Sequence, residues 1–73
     1  MTLSELPVGL TGRVVSVTGE SAVTRRLMEM GVVPGVSVKM IKSAPFGDPL
    51  EIKVRRYSLA LRKNEANAVE VAI

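Results

Sequence analysis

The chain has 73 residues and a formal net charge of +3, and it contains neither Cys nor His. We expect one small domain, residues 1–73, and the missing residue types exclude disulfides, thiolate metal sites and histidine-based catalysis. With 47% hydrophobic and 23% charged residues the composition is globular, and neither a basic leader nor a run of roughly 20 apolar residues is present.

Valine dominates the apolar residues, with 12 Val against 7 Leu and 3 Ile, and this excess favours β-sheet. The opening segment is an exception. Leu3, Leu6 and Leu10 recur at helical spacing, so we expect a helical turn over the core, limited in length by Pro7. The β-branched run Arg13–Val17 then predicts a first strand.

Residues 21–30 carry the clearest helical pattern in the chain. Ser21 is suited to cap the N-terminus of this helix. Three apolar residues form one stripe: Val23, Leu27 and Met30. Three charged residues occupy the opposite side: Arg25, Arg26 and Glu29. Gly31 can adopt the positive φ that ends many helices, Val32 can make the accompanying apolar contact, and Pro34 prevents continuation.

The second half of the chain predicts further strands. Pro34-Gly35 fits the centre of a type II turn. Alternating apolar and polar residues indicate three strands: Val36–Ile41, Leu50–Arg55 and Val69–Ile73. Another strand contains Leu59 and Leu61 and follows a short connection at Arg56-Tyr57. The breakers in Ala44–Pro49 predict a loop, and Asn64–Ala68 is interpreted as one helical turn or a polar loop.

Together these elements predict a mainly β fold. About five strands with connections too short for parallel crossovers indicate a small antiparallel barrel, with one α-helix inserted after the first strand. Closure of the barrel would also leave no exposed sheet edge.

The search for chemistry finds no catalytic pair. The six serines have no His to activate them, and no glycine-rich loop has the spacing of a phosphate cradle. Asp48 and Glu51 are the only acids within the basic region, and two carboxylates without His or Cys make a poor transition-metal site. We therefore predict no enzymatic activity, no cofactor and no metal site.

Residues 39–63 are basic, with seven Lys and Arg against two acids. Such charges are typical of the solvated face of a half-buried sheet. The alternative is a nucleic-acid-binding barrel that uses four of them: Lys53, Arg55, Arg56 and Arg62. Stacking platforms are scarce because Phe46 and Tyr57 are the only aromatic residues, which makes nucleic acid the less favoured partner.

Two surfaces are candidates for contact with a protein partner. Phe46 has no place on an alternating strand, so it is either displayed as an interface anchor or folded back as a lid on the barrel. Asp48 and Pro49 share its loop. Arg25 and Arg26 on the outer helix face are either solvated or in contact with the same partner.

Several longer motifs are informative in combination. They are the opening Leu3-Ser4-Glu5-Leu6-Pro7-x-Gly9, the helix and turn Arg26–Gly35, the loop Ala44–Leu50 and the segment Tyr57–Ala66. With these motifs the sequence resembles the FeoA family, the small cytoplasmic component of bacterial ferrous iron uptake. Met30 stands where the family usually has Leu, a swap of similar volume.

The resemblance implies a Src-homology-3-like (SH3-like) barrel without enzymatic activity. It also implies a cytoplasmic adaptor that binds FeoB, a membrane iron transporter with a GTPase domain, and reaches the membrane only through this partner. We expect Phe46, Asp48 and Pro49 to form one contact patch and Arg25 and Arg26 a second. A basic nucleic-acid-binding barrel, weak metal-ion binding and a homo-oligomer stay open as alternatives.

Overall fold

The structure, a computed structural model, describes residues 1–19 and 21–73; the side chain of Ser21, expected to cap the helix, lies outside the described residues. A 3₁₀ helix, Leu3–Glu5, opens the chain. Five strands follow: β1 (Thr11–Val17), β2 (Ser37–Ser43), β3 (Leu50–Val54), β4 (Tyr57–Leu61) and β5 (Val69–Ala72). Helix α1 (Ser21–Glu29) connects β1 to β2, and helix α2 (Lys63–Ala66) connects β4 to β5. The mainly β fold with a helix after the first strand is confirmed, and the segment after β4 is a helical turn.

The strands form one antiparallel sheet in the order β4-β3-β2-β1-β5. Its pairing is irregular between Val14 and Ser16 on β1 and between Met40 and Lys42 on β2. Such irregularities bend the strand that contains them and increase its local twist. In the part of the chain that the structure describes, no ladder joins β4 to β5. The barrel is therefore partly open, and the expectation of complete closure is wrong between β4 and β5, the two strands that α2 connects along the chain.

The core is aliphatic, as the composition predicts. Its buried residues come from every strand, and Leu27 of α1 is fully buried among them while Val23 and Met30 pack at its margin. The predicted helix stripe is thus confirmed. In the described part of the chain, no helix has the length and apolar character required to cross a membrane.

Three local predictions are wrong. Leu10 is 43% exposed, because the helical segment is a single 3₁₀ turn and Leu10 instead accepts a backbone hydrogen bond from Met40. Ile73 is 75% exposed, since β5 ends at Ala72.

The hairpin turn between β3 and β4 consists of Arg55 and Arg56 rather than Arg56 and Tyr57, because Tyr57 pairs with Val54 as the first residue of β4. Arg55 supplies the positive φ of this turn without a Gly or Asn to signal it.

Helix α1 ends as its sequence predicts. Gly31 has a φ of +94°, its N–H donates to the carbonyl of Met28, and the N–H of Val32 donates to the carbonyl of Leu27, each at 3.0 Å. This pair of bonds is a Schellman motif, and the burial of Val32 completes it. The Tyr57 hydroxyl donates to the carbonyl of Met30 and lies against Gly31, which attaches β4 to the end of the helix.

We expect Gly31→Ala to destabilise the protein more than Gly35→Ala. Both glycines have a φ of +94°, so both substitutions carry the positive-φ cost of about 1 to 2 kcal/mol. A Cβ at Gly31 would also stand 2.5 Å from the Tyr57 hydroxyl, whereas a Cβ at Gly35 meets nothing within 4 Å. Displacing Tyr57 adds about 1 kcal/mol. Urea unfolding measures both losses, and equal losses would contradict a restraining role for Tyr57.

Candidate functional site

The segment Ala44–Pro49, here called the Phe46 loop, is a tight turn between β2 and β3. The N–H of Gly47 donates to the carbonyl of Ala44 at 2.7 Å, and the N–H of Ala44 donates to the carbonyl of Pro49 at 3.0 Å. The Asp48-Pro49 peptide bond is cis. Phe46 stands near the tip of this turn and is 95% exposed. Of the two interpretations of Phe46, the structure supports display and not a lid.

Asp48 attaches the Phe46 loop to α2. Its Oδ1 accepts a hydrogen bond from the backbone N–H of Lys63 at 3.1 Å. The first N–H groups of a helix have no partner within the helix, so an acidic side chain at this point satisfies one of them. The side chain of Asp48 therefore helps to position the loop, and the partner contacts predicted for Phe46, Asp48 and Pro49 stay predictions.

A groove of about 320 Å³ lies beside the Phe46 loop. Pro45 and Pro49 of the loop line one side of it, and Ala60 of β4 lines another. Lys42 and Glu51 also line the groove, and their charged atoms stand 3.7 Å apart in an ion pair. This surface combines an exposed aromatic ring with an apolar recess.

A second, shallow groove of about 670 Å³ runs between α1 and the end of β1. Arg25 and Met28 of α1 line it together with Val17 of β1. Arg25 is exposed, and among the described residues no ion pair to it is present. The partner contact predicted for Arg25 stays a prediction.

Arg26 has a different environment from Arg25. Its Nη1 stands 2.6 Å from Oε2 of Glu65, whose side chain is only 6% exposed. The other carboxylate oxygen of Glu65 accepts the backbone N–H of Arg62 at 2.9 Å. The Arg26 side chain is still 57% exposed, but its guanidinium compensates a buried charge within the protein. The sequence analysis did not foresee this ion pair.

Helix α2 joins the two predicted contact patches. Its first N–H holds Asp48 of the Phe46 loop, and its Glu65 holds Arg26 of α1. The tertiary structure thus relates residues that are far apart in sequence. Because α2 has only four residues, its position depends on these contacts more than on its own helical stability.

We expect Arg26→Met to lower the free energy of unfolding by about 1 to 3 kcal/mol, because it leaves the buried carboxylate of Glu65 without its cation. Arg25→Met is the matched control on the same helix and should change stability by less than about 0.5 kcal/mol. Chemical denaturation followed by circular dichroism gives both values. Equal effects of the two substitutions would show that the ion pair contributes no stability.

The basic residues of the nucleic-acid alternative do not form one patch. Lys53 and Arg55 line a groove of about 270 Å³ with Lys39, which lies directly opposite Lys53 in the sheet. Arg62 follows the other end of β4. The Tyr57 hydroxyl is bonded to Met30. The groove therefore has positive charge but no aromatic residue lining it for base stacking.

The two acids considered for metal binding both have partners within the protein. Asp48 accepts the N–H of Lys63, and Glu51 faces Lys42. Over residues 1–19 and 21–73 there is no group of three or more His, Cys, Asp or Glu placed to hold a metal ion.

A comparison with protein families matches the FeoA domain over residues 1–73. The chain belongs to the FeoA family. The resemblance noted in the sequence is therefore confirmed over the full length of the chain.

Individual relatives agree with this assignment. The Fe(2+) transport protein A/Fe(2+) transporter FeoB fusion protein of Porphyromonas gingivalis is 34% identical over 73 residues, which is 100% of this chain and 9% of the fusion protein. The chain thus spans only a small part of this relative. FeoA of Chlorobium tepidum has a TM-score of 0.92 and 45% identity, covering 100% of this chain and 70% of the other.

FeoA of Stenotrophomonas maltophilia, crystallised with zinc, has a TM-score of 0.87 and 42% identity. The alignment covers 99% of this chain and 89% of that protein, which is described as a procaryotic SH3 domain protein. The expected SH3-like architecture is confirmed by this likeness.

Proposed function

We propose that this FeoA-family protein is a non-catalytic adaptor of ferrous iron uptake. It binds the cytoplasmic part of the FeoB transporter and modulates the assembly or the GTPase cycle of that transporter. One observation carries the proposal: in the Porphyromonas gingivalis relative, transport protein A and FeoB are fused in one chain. Fusion holds two modules at a high effective concentration, an arrangement that favours contact between them. The adaptor acts in the cytoplasm and reaches the membrane through FeoB.

The Phe46 loop is the primary contact surface in this proposal. An exposed aromatic ring buries a large apolar area when a partner covers it, and such residues often dominate binding energy. The loop is also restrained, since Asp48 is bonded to Lys63 and Pro49 carries the carbonyl that closes the turn. A restrained loop loses less conformational entropy on binding than a flexible one.

The second contact surface is the groove beside α1, where Arg25 and Met28 are exposed. Arg25 supplies a charge to the partner. Arg26 contributes indirectly, because its ion pair with Glu65 holds α1 against α2. A substitution of Arg26 therefore tests folding, and a substitution of Arg25 tests binding.

Phe46→Ala is expected to weaken binding to the purified cytoplasmic part of FeoB by roughly tenfold or more, as for an aromatic anchor at an interface. Combining it with Arg25→Glu should weaken binding further. Biolayer interferometry measures the affinities, and circular dichroism checks the fold of each variant.

Ile73→Ala is the control for exposed apolar surface, because Ile73 is 75% exposed at the end of the chain. It should bind like the wild type. If the double variant keeps wild-type affinity with an intact fold, both contact surfaces are assigned wrongly. If wild-type protein does not bind the transporter, the adaptor role itself is refuted.

A second candidate function, binding of nucleic acid, is favoured by one observation. Lys39 and Lys53 face each other across neighbouring strands, and like charges in this position are destabilising unless an anion lies between them. Because this groove is separate from the Phe46 loop, the two functions can be tested independently.

We expect single-stranded RNA to bind only weakly and through charge. Fluorescence anisotropy at two salt concentrations should show an affinity that falls steeply with salt, and Lys39→Glu should reduce the slope. Tight binding that resists salt would instead make nucleic acid the principal ligand.

A further inference from the structure

The two edges of the sheet differ in whether other residues of the chain form backbone hydrogen bonds with them. At β5, the N–H of Val71 donates to the carbonyl of Met1 at 2.8 Å, and the amino group of Met1 donates to the carbonyl of Val71 at 3.2 Å. A bridge between Thr2 and Glu70 extends this contact. The opening residues therefore cover the β5 edge. Strand β4 pairs with β3 on one side, and on its other side no backbone hydrogen bond is present among the described residues.

The register identifies the backbone groups that point outward from β4. A two-residue turn makes Val54 and Tyr57 a hydrogen-bonded pair, and the pairing is regular along the strand. Hydrogen-bonded and non-hydrogen-bonded pairs alternate in an antiparallel ladder. The N–H and C=O groups of Ser58 and Ala60 therefore point away from β3, toward the open edge.

Strand β4 lacks the features that usually protect an edge. Its sequence, Tyr-Ser-Leu-Ala-Leu, contains no charged residue and no Pro, and its pairing with β3 has no bulge. Proteins commonly use these devices to prevent pairing with other chains. The outward side chains of Ser58 and Ala60 are small and exposed, so an approaching backbone meets little steric hindrance.

We propose that the open edge of β4 accepts an extended segment of the protein partner as an additional strand. This inference rests on the adaptor function and specifies how the partner is bound. Main-chain hydrogen bonds to Ser58 and Ala60 provide the pairing, as in other cases of strand addition. The groove beside the Phe46 loop, which Ala60 lines, receives an apolar side chain of the added segment.

Charges at the ends of β4 define the chemistry of this segment. Arg55 and Arg56 precede the strand, and Arg62 and Lys63 follow it. A complementary segment is apolar in the middle and carries Asp or Glu at both ends. A second copy of this chain fits poorly, because antiparallel pairing of two β4 strands would place the two arginines of one copy against Arg62 and Lys63 of the other.

Ala60→Pro tests the edge directly. Proline removes the outward N–H and is tolerated on edge strands at positions whose N–H faces solvent. Ala60→Ser is the matched control, because it keeps the N–H and adds only a hydroxyl. We expect Ala60→Pro to weaken strand addition roughly tenfold, and Ala60→Ser, whose hydroxyl lies at the groove, to weaken it by much less.

Two probes test strand addition at β4 and the adaptor role independently of each other. The first is the purified cytoplasmic part of FeoB. The second is a short peptide of alternating valine and threonine flanked by glutamates, with a lysine-flanked peptide as its control. Amide hydrogen exchange of the wild-type protein, followed by NMR, reports on each residue and needs no variant. We expect the transporter and the acidic peptide to slow exchange at Ser58 and Ala60, and the basic peptide to have no effect.

The outcomes are distinct. If the transporter binds without slowing exchange at Ser58 and Ala60, or binds Ala60→Pro like the wild type, strand addition is overturned and the adaptor role stands. If the acidic peptide protects both amides and the transporter does not bind, the adaptor role fails and the edge site stands. If protection instead rises with the concentration of the protein alone, the occupant is a second copy and the proposal is wrong.

Discussion

The ion pair between Arg26 and Glu65 is the contact on which the arrangement of both candidate surfaces depends. It joins α1 to α2 through a carboxylate that is almost fully buried. A helix of four residues has little stability of its own, so α2 is held by what it contacts. The same helix receives Asp48 from the Phe46 loop. Through α2, one buried charge and its ion-pair partner thus connect the Phe46 loop to helix α1.

Helix α2 also lies, in chain order, between the two strands at the edges of the sheet. It occupies the connection between β4 and β5, and the two strands become the edges of the sheet. The opening residues cover the β5 edge, whereas among residues 1–19 and 21–73 no backbone hydrogen bond is made on the outer side of β4. For a chain of 73 residues without disulfides, a partner that binds only the folded state would add stability as well as function.

Local patterns predicted the parts of the fold in which neighbouring residues decide the conformation. The valine-rich alternation identified the strands, and the stripe containing Leu27 identified α1. Gly31 ended the helix as expected because only a residue tolerant of positive φ satisfies a Schellman motif without strain. The predictions failed at Leu10 and at Arg55, where the spacing and the residue type gave no signal of the turn that tertiary contacts impose.

The sequence by itself determined a mainly β fold and the limits of α1, because the periodicity of apolar residues governs local conformation. It also determined that no functional site of the chain can use a Cys or His side chain, because the chain contains neither residue. Only the tertiary structure decided that Arg26 forms an ion pair with Glu65 while Arg25 is exposed to solvent. The two residues of this ion pair are 39 positions apart in the sequence. The tertiary structure likewise decided that Phe46 is exposed and that, within the described part of the chain, β4 pairs with a strand on one side only. Exposure and long-range pairing depend on how the strands are placed in space, and no periodicity along the chain encodes that placement.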